Sequence, residues 1–154
     1  MATYHVERVL PYTPEQLFAL VGDVRAYPEF IPWIRSIRLS PLRQEGDHAT
    51  VLDADASVGF SVINERFATR VRRDEAARQI EVNLISGPFK KLLNQWRFVS
   101  DPLGTRILFD IEFEFKSKLL DLMLRANFDY AVQRLIGCFE ARAQTLYGDA
   151  EAQA

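Results

Sequence analysis

Hydrophobic and polar residues alternate most regularly around residue 110. One parity carries Ile107, Phe109, Ile111, Phe113 and Phe115, and the other carries Leu108, Asp110, Glu112 and Glu114. This period of two predicts a half-buried antiparallel strand with an aromatic inner face. Shorter alternating runs precede it from residue 34 onward, separated by turn signals such as Ser86-Gly87-Pro88. The pattern predicts six strands between residues 34 and 115, after a first strand over residues 4–10.

Helical periods occupy the rest of the chain. Thr13-Pro14-Glu15-Gln16 forms a capping box before an apolar stripe that ends near Val24. The segment 27–33 predicts a short aromatic turn or second helix between two prolines. Ser117 caps a third helix that runs to Tyr147, with Gly148 after its end. At 1.5 Å per residue this helix is about 45 Å long, so we expect it to cross the whole concave face of the sheet.

The stretch from Val58 to Arg72 breaks its own alternation. Val58, Phe60 and Val62 share one parity, whereas Ile63, Phe67 and Val71 share the other. A β-bulge near residues 62–64 would reconcile the two halves and bend the strand.

Segregated strands and helices predict an α+β fold of order β-α-α-β6-α. We expect a curved antiparallel sheet wrapped around the long C-terminal helix. The 154 residues suit one domain over residues 1–148, followed by a frayed polar tail over 149–154.

The composition of the chain limits the classes of function that it can have. The formal net charge of −2 argues against a surface built throughout for nucleic acid. Cys138 is the single cysteine, which fits a reducing compartment. The N-terminus lacks the pattern of a signal peptide, and no apolar run is long enough to span a membrane. We expect a cytoplasmic protein that can also lie peripherally on the inner membrane.

Catalytic and metal-binding motifs are absent from the sequence. No HExxH, CxxC, GxGxxG or P-loop string occurs. His5 and His48 have no accompanying nucleophile pattern, so we assign them surface or structural roles, and Cys138 falls on the apolar side of the last helix. The sequence predicts no catalytic residue, no metal ligand and no cofactor.

Several strings in this order resemble the coenzyme Q-binding branch of the START-like (helix-grip, polyketide cyclase/dehydrase) family. They are Pro11-Tyr12-Thr13-Pro14-Glu15-Gln16-Leu17-Phe18, Tyr27-Pro28-Glu29-Phe30-Ile31-Pro32-Trp33, Gly87-Pro88-Phe89-Lys90-Lys91-Leu92, Trp96-Arg97-Phe98, Phe113-Glu114-Phe115-Lys116-Ser117-Lys118-Leu119-Leu120, Phe139-Glu140-Ala141-Arg142-Ala143 and Tyr147-Gly148. Leu135-Ile136 stands where the branch has a Met-Val type pair. The resemblance covers residues 4–148, and without a mitochondrial presequence we expect the bacterial form.

The resemblance implies a hydrophobic tunnel between the sheet and the last helix. It also implies a polyprenyl quinone such as ubiquinone, or a similar lipid, as ligand of a carrier or chaperone in respiration. With the strand and helix parities, the expected ligand-binding residues are Phe60, Phe67, Val82, Trp96, Phe98, Phe109, Ile111, Phe113, Leu124, Phe128, Leu135 and Phe139.

Polar residues on inward-facing parities are candidates for orienting a ligand head group. Glu65 shares a face with Phe67, and Asn94 shares one with Trp96. Each could instead meet a backbone amide or an arginine across the sheet, and both interpretations stay open. A lid or membrane contact is predicted for Tyr27, Phe30 and Trp33 and for the loop residues Phe89, Lys90 and Lys91. The aromatic segment could equally plug one end of the sheet, and the loop could be an ordinary solvated turn.

Two other functions stay open because the same family includes ribosome association toxins and polyketide cyclases. The first would need a contiguous basic face for RNA phosphates, against which the acidic outer face of the 107–115 strand counts. The second would need an acid or base in the cavity, for which Glu65 is the candidate. The expected partners are a hydrophobic small molecule or lipid and, transiently, the inner-membrane surface, with the ribosome as the alternative. The oligomeric state is not assigned.

Overall fold

One curved sheet of eight antiparallel strands dominates this protein. The computed structural model describes residues 2–60 and 63–148. The strands are β1 (Ala2–Leu10), β2 (Ile34–Leu39), β3 (Arg43–Glu45), β4 (Ala49–Phe60), β5 (Ile63–Asp74), β6 (Gln79–Ser86), β7 (Phe89–Asp101) and β8 (Gly104–Phe115). Their order is β1-β8-β7-β6-β5-β4-β2, and β3 pairs with the first residues of β4.

Four helices and a 3-10 turn accompany the sheet among the described residues. They are α1 (Pro14–Gly22), the 3-10 turn (Val24–Ala26), α2 (Tyr27–Phe30), α3 (Lys118–Ala126) and α4 (Phe128–Tyr147). The predicted capping box is confirmed, since Thr13 accepts from the Gln16 amide while Gln16 accepts from the Thr13 amide. The predicted cap of the C-terminal helix is also confirmed, because the Ser117 hydroxyl accepts from the Leu120 amide.

The core lies between the concave face of the sheet and the helices α1 and α4. Alternation along β8 buries Ile107, Phe109 and Phe113, as the sequence predicted. Ile136 and Phe139 of α4 are buried against this face, and the Trp96 ring lies 5.1 Å from the Phe139 ring. The α+β fold with a curved sheet around a long terminal helix is therefore confirmed.

The number of strands differs from the prediction. Seven strands follow the first helices instead of six, because the stretch from Val58 to Arg72 is not one bent strand. β4 ends at Phe60 and β5 begins at Ile63, with these two residues paired across an antiparallel hairpin. The switch in parity therefore marks a reversal of the chain. The bulge predicted near residues 62–64 falls in part on residue 62, outside the described residues, and a register shift lies at Ala68–Thr69.

The C-terminal helix also differs, because it is broken at Asn127 into α3 and α4. The Asn127 amide donates to the Leu124 carbonyl at 3.2 Å, three residues back, and its side chain donates to the Met123 carbonyl. Local side-chain bonds of this kind compete with the regular helical pattern. The prediction of one unbroken helix is therefore wrong. The two parts also differ in burial, because α4 has buried residues and α3 has none.

The sequence also predicted a frayed C-terminal tail and no membrane-spanning segment. Residues 149–154, for which a frayed tail is predicted, lie outside the described residues. Within the described ranges, no helix is long and apolar enough to cross a membrane.

Candidate functional site

A cavity of about 360 Å³ lies between the concave face of the sheet and the helices α3 and α4. Strands β4 to β8 supply its floor, and α4 supplies most of its roof. Its lining consists almost wholly of aliphatic and aromatic side chains. The polar exceptions that carry no ring are Glu65, Thr69 and Asn94. Such a cavity has the size and chemistry of a small-molecule site for an apolar ligand.

Ten of the twelve residues predicted to bind the ligand line this cavity. They are Phe67, Val82, Trp96, Phe109, Ile111, Phe113, Leu124, Phe128, Leu135 and Phe139. Phe98 is buried outside the lining, where its ring lies 6.2 Å from Phe18 of α1. The helix α1 covers this end of β7, which the strand pattern alone could not reveal. The side chain of Phe60 lies outside the described part, and ligand contact by any of these residues stays a prediction.

Aromatic rings form a continuous wall along the cavity. The Trp96 ring lies 4.8 Å from Phe109, edge to face, and Phe113 lies 4.2 Å from Phe128. Edge-to-face pairs of this kind are favourable and restrict ring movement. The wall therefore presents a shaped apolar surface to whatever the cavity holds.

Asn94 has a structural role in this wall, because its side chain forms hydrogen bonds within the sheet. Its amide nitrogen donates to the Asp110 carbonyl at 2.9 Å, and its amide oxygen accepts from the Trp96 indole N–H at 2.9 Å. Both polar ends are therefore satisfied within the sheet. The indole ring is held in place against the cavity by this bond.

Glu65 and Thr69 differ from Asn94, because neither side chain has a hydrogen bond or ion pair within the described ranges. They lie four residues apart on the same face of β5, roughly 13 Å along the strand. Thr69 is a buried residue and Glu65 is half-buried, and their polar atoms can hydrogen-bond to a ligand or to water in the cavity. Thr69 was missed by the sequence analysis, although its period-two spacing from Glu65 and Phe67 could have indicated it.

The aromatic segment before β2 divides between cavity and core. Tyr27 and Trp33 line the cavity, whereas Phe30 packs beside it, 5.4 Å from Phe139. The Tyr27 hydroxyl donates to the Val21 carbonyl, and burial raises the pKa of this phenol far above its usual range. The guanidinium of Arg134 lies 5.4 Å from the Trp33 ring. The segment closes one side of the cavity, and a lid role for it stays a prediction.

Residues 89–91, predicted to form a loop that contacts the membrane, begin β7 and do not form an exposed apolar tip. Phe89 lines the cavity, with its ring 4.5 Å from Phe115, so it faces inward. Lys91 pairs with Glu112 at 2.9 Å. Lys90 is exposed and has no ion pair among the described residues.

Unlike Glu65, the described histidines and the cysteine lie outside the cavity lining. His5 is on the outer face of the sheet, 3.0 Å from Glu7 and 2.6 Å from Asp110, and its hydrogen bonds to these carboxylates raise its pKa. Burial raises the pKa of the Cys138 thiol, which makes it a poor nucleophile. Over residues 2–60 and 63–148, no cluster of His, Cys, Asp or Glu could hold a metal ion.

A sheet that wraps a long terminal helix over an apolar cavity defines the START-like class of folds. A START superfamily protein from Mycobacterium smegmatis has this fold with a TM-score of 0.75 at 22% identity, over 94% of this chain and 97% of that protein. The chain belongs to the polyketide cyclase / dehydrase and lipid transport family, whose model matches residues 10–140.

Individual relatives cover nearly the whole chain. The ribosome association toxin RatA of Rickettsia prowazekii is 31% identical over 94% of this chain and 97% of its own. The mitochondrial coenzyme Q-binding protein COQ10 homolog B of Xenopus laevis is 29% identical over 96% of this chain and 60% of its own. An 18 kDa protein of Caulobacter crescentus, solved in solution, is 57% identical with a TM-score of 0.82, over 97% of this chain and all of that one.

Proposed function

We propose that this protein binds a polyprenyl quinone, such as ubiquinone, in the cavity beneath α4 and acts as its carrier or chaperone in respiration. The observation that carries the proposal is the cavity of about 360 Å³ with its apolar, aromatic lining. Each buried methylene of a ligand tail contributes about 0.8 kcal/mol, so such a lining favours a prenyl chain. The name of the coenzyme Q-binding relative supports the same ligand class.

The two unpartnered polar groups suit a ligand with a polar head. Thr69 can donate to or accept from an oxygen of the ligand, whereas an ionised Glu65 only accepts. A quinone ring carries carbonyl oxygens that accept a hydrogen bond from a hydroxyl such as that of Thr69. The head group would therefore lie near β5, with the prenyl tail along the aromatic wall.

A carrier role is favoured over catalysis by the composition of the lining. Among the described residues, Glu65 is the one carboxylate of the lining, and neither histidine nor Cys138 belongs to it. A catalytic acid and base with separated pKa values would need at least two such groups. We therefore propose a protein that holds its ligand without transforming it.

Intrinsic fluorescence tests this proposal directly. The chain has two tryptophans, Trp33 and Trp96, and both line the cavity. Quinones quench indole fluorescence at short range, so titration with a short-tailed ubiquinone in mild detergent should quench both to saturation at one ligand per protein. Absence of saturable quenching would contradict the proposal.

A pair of substitutions on α4 provides the matched control. Ala131 lines the cavity, whereas Ala141 is exposed on the same helix. Ala131→Phe should fill ligand space and weaken quinone binding at least about tenfold, which corresponds to roughly 1.4 kcal/mol. Ala141→Phe should bind as the wild type does. Equal affinities of the two variants would place the ligand elsewhere.

The alternative function is association with the ribosome, which the names of the RatA relatives favour. The outer face of the sheet is rich in arginine, but many of these cations are paired. Arg70 lies 2.9 Å from Asp53, Arg66 lies 3.2 Å from Asp55, and Arg72 lies 2.9 Å from Glu45. Such pairing leaves less charge for RNA phosphates.

Sedimentation with bacterial ribosomal subunits at low and high salt distinguishes the two functions. A ribosome-binding protein should co-sediment at low salt and dissociate at high salt, and Ala131→Phe should not change this. Co-sedimentation together with absent quinone binding would favour the alternative.

A further inference from the structure

The helix α3 exposes an apolar face to solvent. Leu119 and Leu122 are each 70% exposed and Met123 is 43% exposed. Ala126 is exposed beside them. At 100° per residue these four positions fall within one arc of the helix, which we call the outer face of α3. Adjacent exposed apolar residues of this kind indicate an interaction surface.

The opposite face of the same helix belongs to the cavity. Leu124 is part of the cavity lining, yet no residue of α3 is buried. The helix is joined to α4 through the break at Asn127. Because few apolar contacts hold it, α3 can move at a low cost in free energy. A ligand that binds the outer face therefore acts on an element that also covers the cavity.

Three lysines without an ion pair among the described residues lie near the N-terminal end of this outer face. Lys118 begins α3, and Lys116 precedes it, with its amide bonded to the Pro88 carbonyl at 2.8 Å. The pairing of Phe89 with Phe115 brings Lys90 to the same end of the sheet. None of the three lysines has an ion pair within residues 2–60 and 63–148.

The acidic residue of α3 does not offset these charges. Asp121 binds Arg125 at 2.7 Å and accepts from the Phe115 amide. The surface therefore combines exposed leucines with three uncompensated cations. Lysine is depleted in protein interfaces, whereas leucines flanked by lysines suit the boundary of an anionic bilayer.

We propose that the outer face of α3 docks on an anionic lipid bilayer, with Leu119 and Leu122 inserted and Lys90, Lys116 and Lys118 against the head groups. The inference deepens the proposed function, since the bilayer would be where the cavity takes up and releases its ligand. It places the membrane contact on α3, whereas the sequence analysis predicted a lid or membrane contact at residues 27–33 and 89–91.

Co-sedimentation of the full chain with ligand-free vesicles tests this inference. The protein should bind vesicles that contain phosphatidylglycerol, and should bind pure phosphatidylcholine vesicles much more weakly. Leu119→Ser with Leu122→Ser should weaken binding at least about tenfold. Lys116→Gln with Lys118→Gln should weaken binding to anionic vesicles by a similar factor, because each substitution removes a cation that attracts the anionic head groups.

Leu103 provides the control for exposed apolar residues in general. It is 76% exposed in the turn between β7 and β8, at the other end of these strands. Leu103→Ser should leave vesicle binding unchanged. Equal loss in Leu103→Ser, equal binding to both kinds of vesicle, or no binding by the wild type would each overturn the inference. Thermal melts equal to wild type confirm that the leucine variants are folded.

The two proposals fail in different ways. If α3 does not dock on membranes, quinone should still quench Trp33 and Trp96 in detergent. If the cavity does not bind quinone, the protein should still sediment with anionic vesicles. The Leu119→Ser, Leu122→Ser variant should retain full quenching in detergent, because these side chains point away from the cavity.

Discussion

Thr69 and Thr105 are both buried threonines of the sheet, but they differ in their hydrogen bonds. The Thr105 hydroxyl donates to the Tyr12 carbonyl at 2.6 Å. The Thr69 hydroxyl has no partner among the described residues and lies in the wall of the cavity. A hydroxyl in the wall of a cavity can hydrogen-bond to a ligand or to water there. We expect this hydroxyl to serve ligand binding and not the stability of the fold.

Substitution to valine distinguishes the two threonines. Thr105→Val should lower the free energy of unfolding by about 1–2 kcal/mol, because the Tyr12 carbonyl loses its donor. Thr69→Val should leave it unchanged or raise it by up to about 1 kcal/mol, while weakening quinone binding measured by quenching. Urea denaturation of both variants provides the measurement. A clear loss of stability in Thr69→Val, with binding intact, would assign this hydroxyl a structural role.

Residue positions on the inner face of β8 could be predicted because alternation there is uninterrupted. Phe109 and Phe113 are among the most buried side chains, as the parity required. Phe98 shows the limit of such an argument, because parity fixes the face of a strand but not which helix covers it. The hydrogen-bond partners of Asn94 could not be predicted either, because they depend on the register between β7 and β8.

At the scale of elements, the sequence predicted those caps and turns that contain characteristic capping or turn residues. It missed the turn and the helix break that lack such residues. The capping box at Thr13, the N-cap at Ser117 and the Gly-Pro turn rest on residues with a specific backbone role. The hairpin between β4 and β5 was missed because the sequence between these strands, Ser61-Val62, carries none of the usual signals of a two-residue turn. The break at Asn127 was hidden because the apolar stripe continues through it.

The break gives the two C-terminal helices different expected stabilities. No residue of α3 is buried, whereas Val132, Ile136, Phe139 and Ala143 of α4 are. Local opening is easiest where few apolar contacts are lost. Amide hydrogen exchange followed by mass spectrometry should therefore show fast exchange over residues 118–126 and strong protection over 132–143. Equal protection of both segments would contradict a weakly held α3.

At the scale of the whole molecule, the order of strands and helices was sufficient to predict the α+β class. The cavity itself was implied by the resemblance and not by the periodicity, because a concave face can be filled by side chains or left open. Its volume depends on how far α4 lies from the sheet, which no strand pattern encodes. The exposed face of α3 likewise became visible only when the helix was found to be broken.

The measurement that tests the central claim most directly is the identity of the lipid that the protein carries from the cell. The protein would be purified from bacteria that make ubiquinone, extracted with organic solvent, and the extract identified by mass spectrometry. We predict about one polyprenyl quinone per protein, with much less in Ala131→Phe and wild-type content in Ala141→Phe. An empty wild-type extract, with no quenching when quinone is added back, would contradict the account.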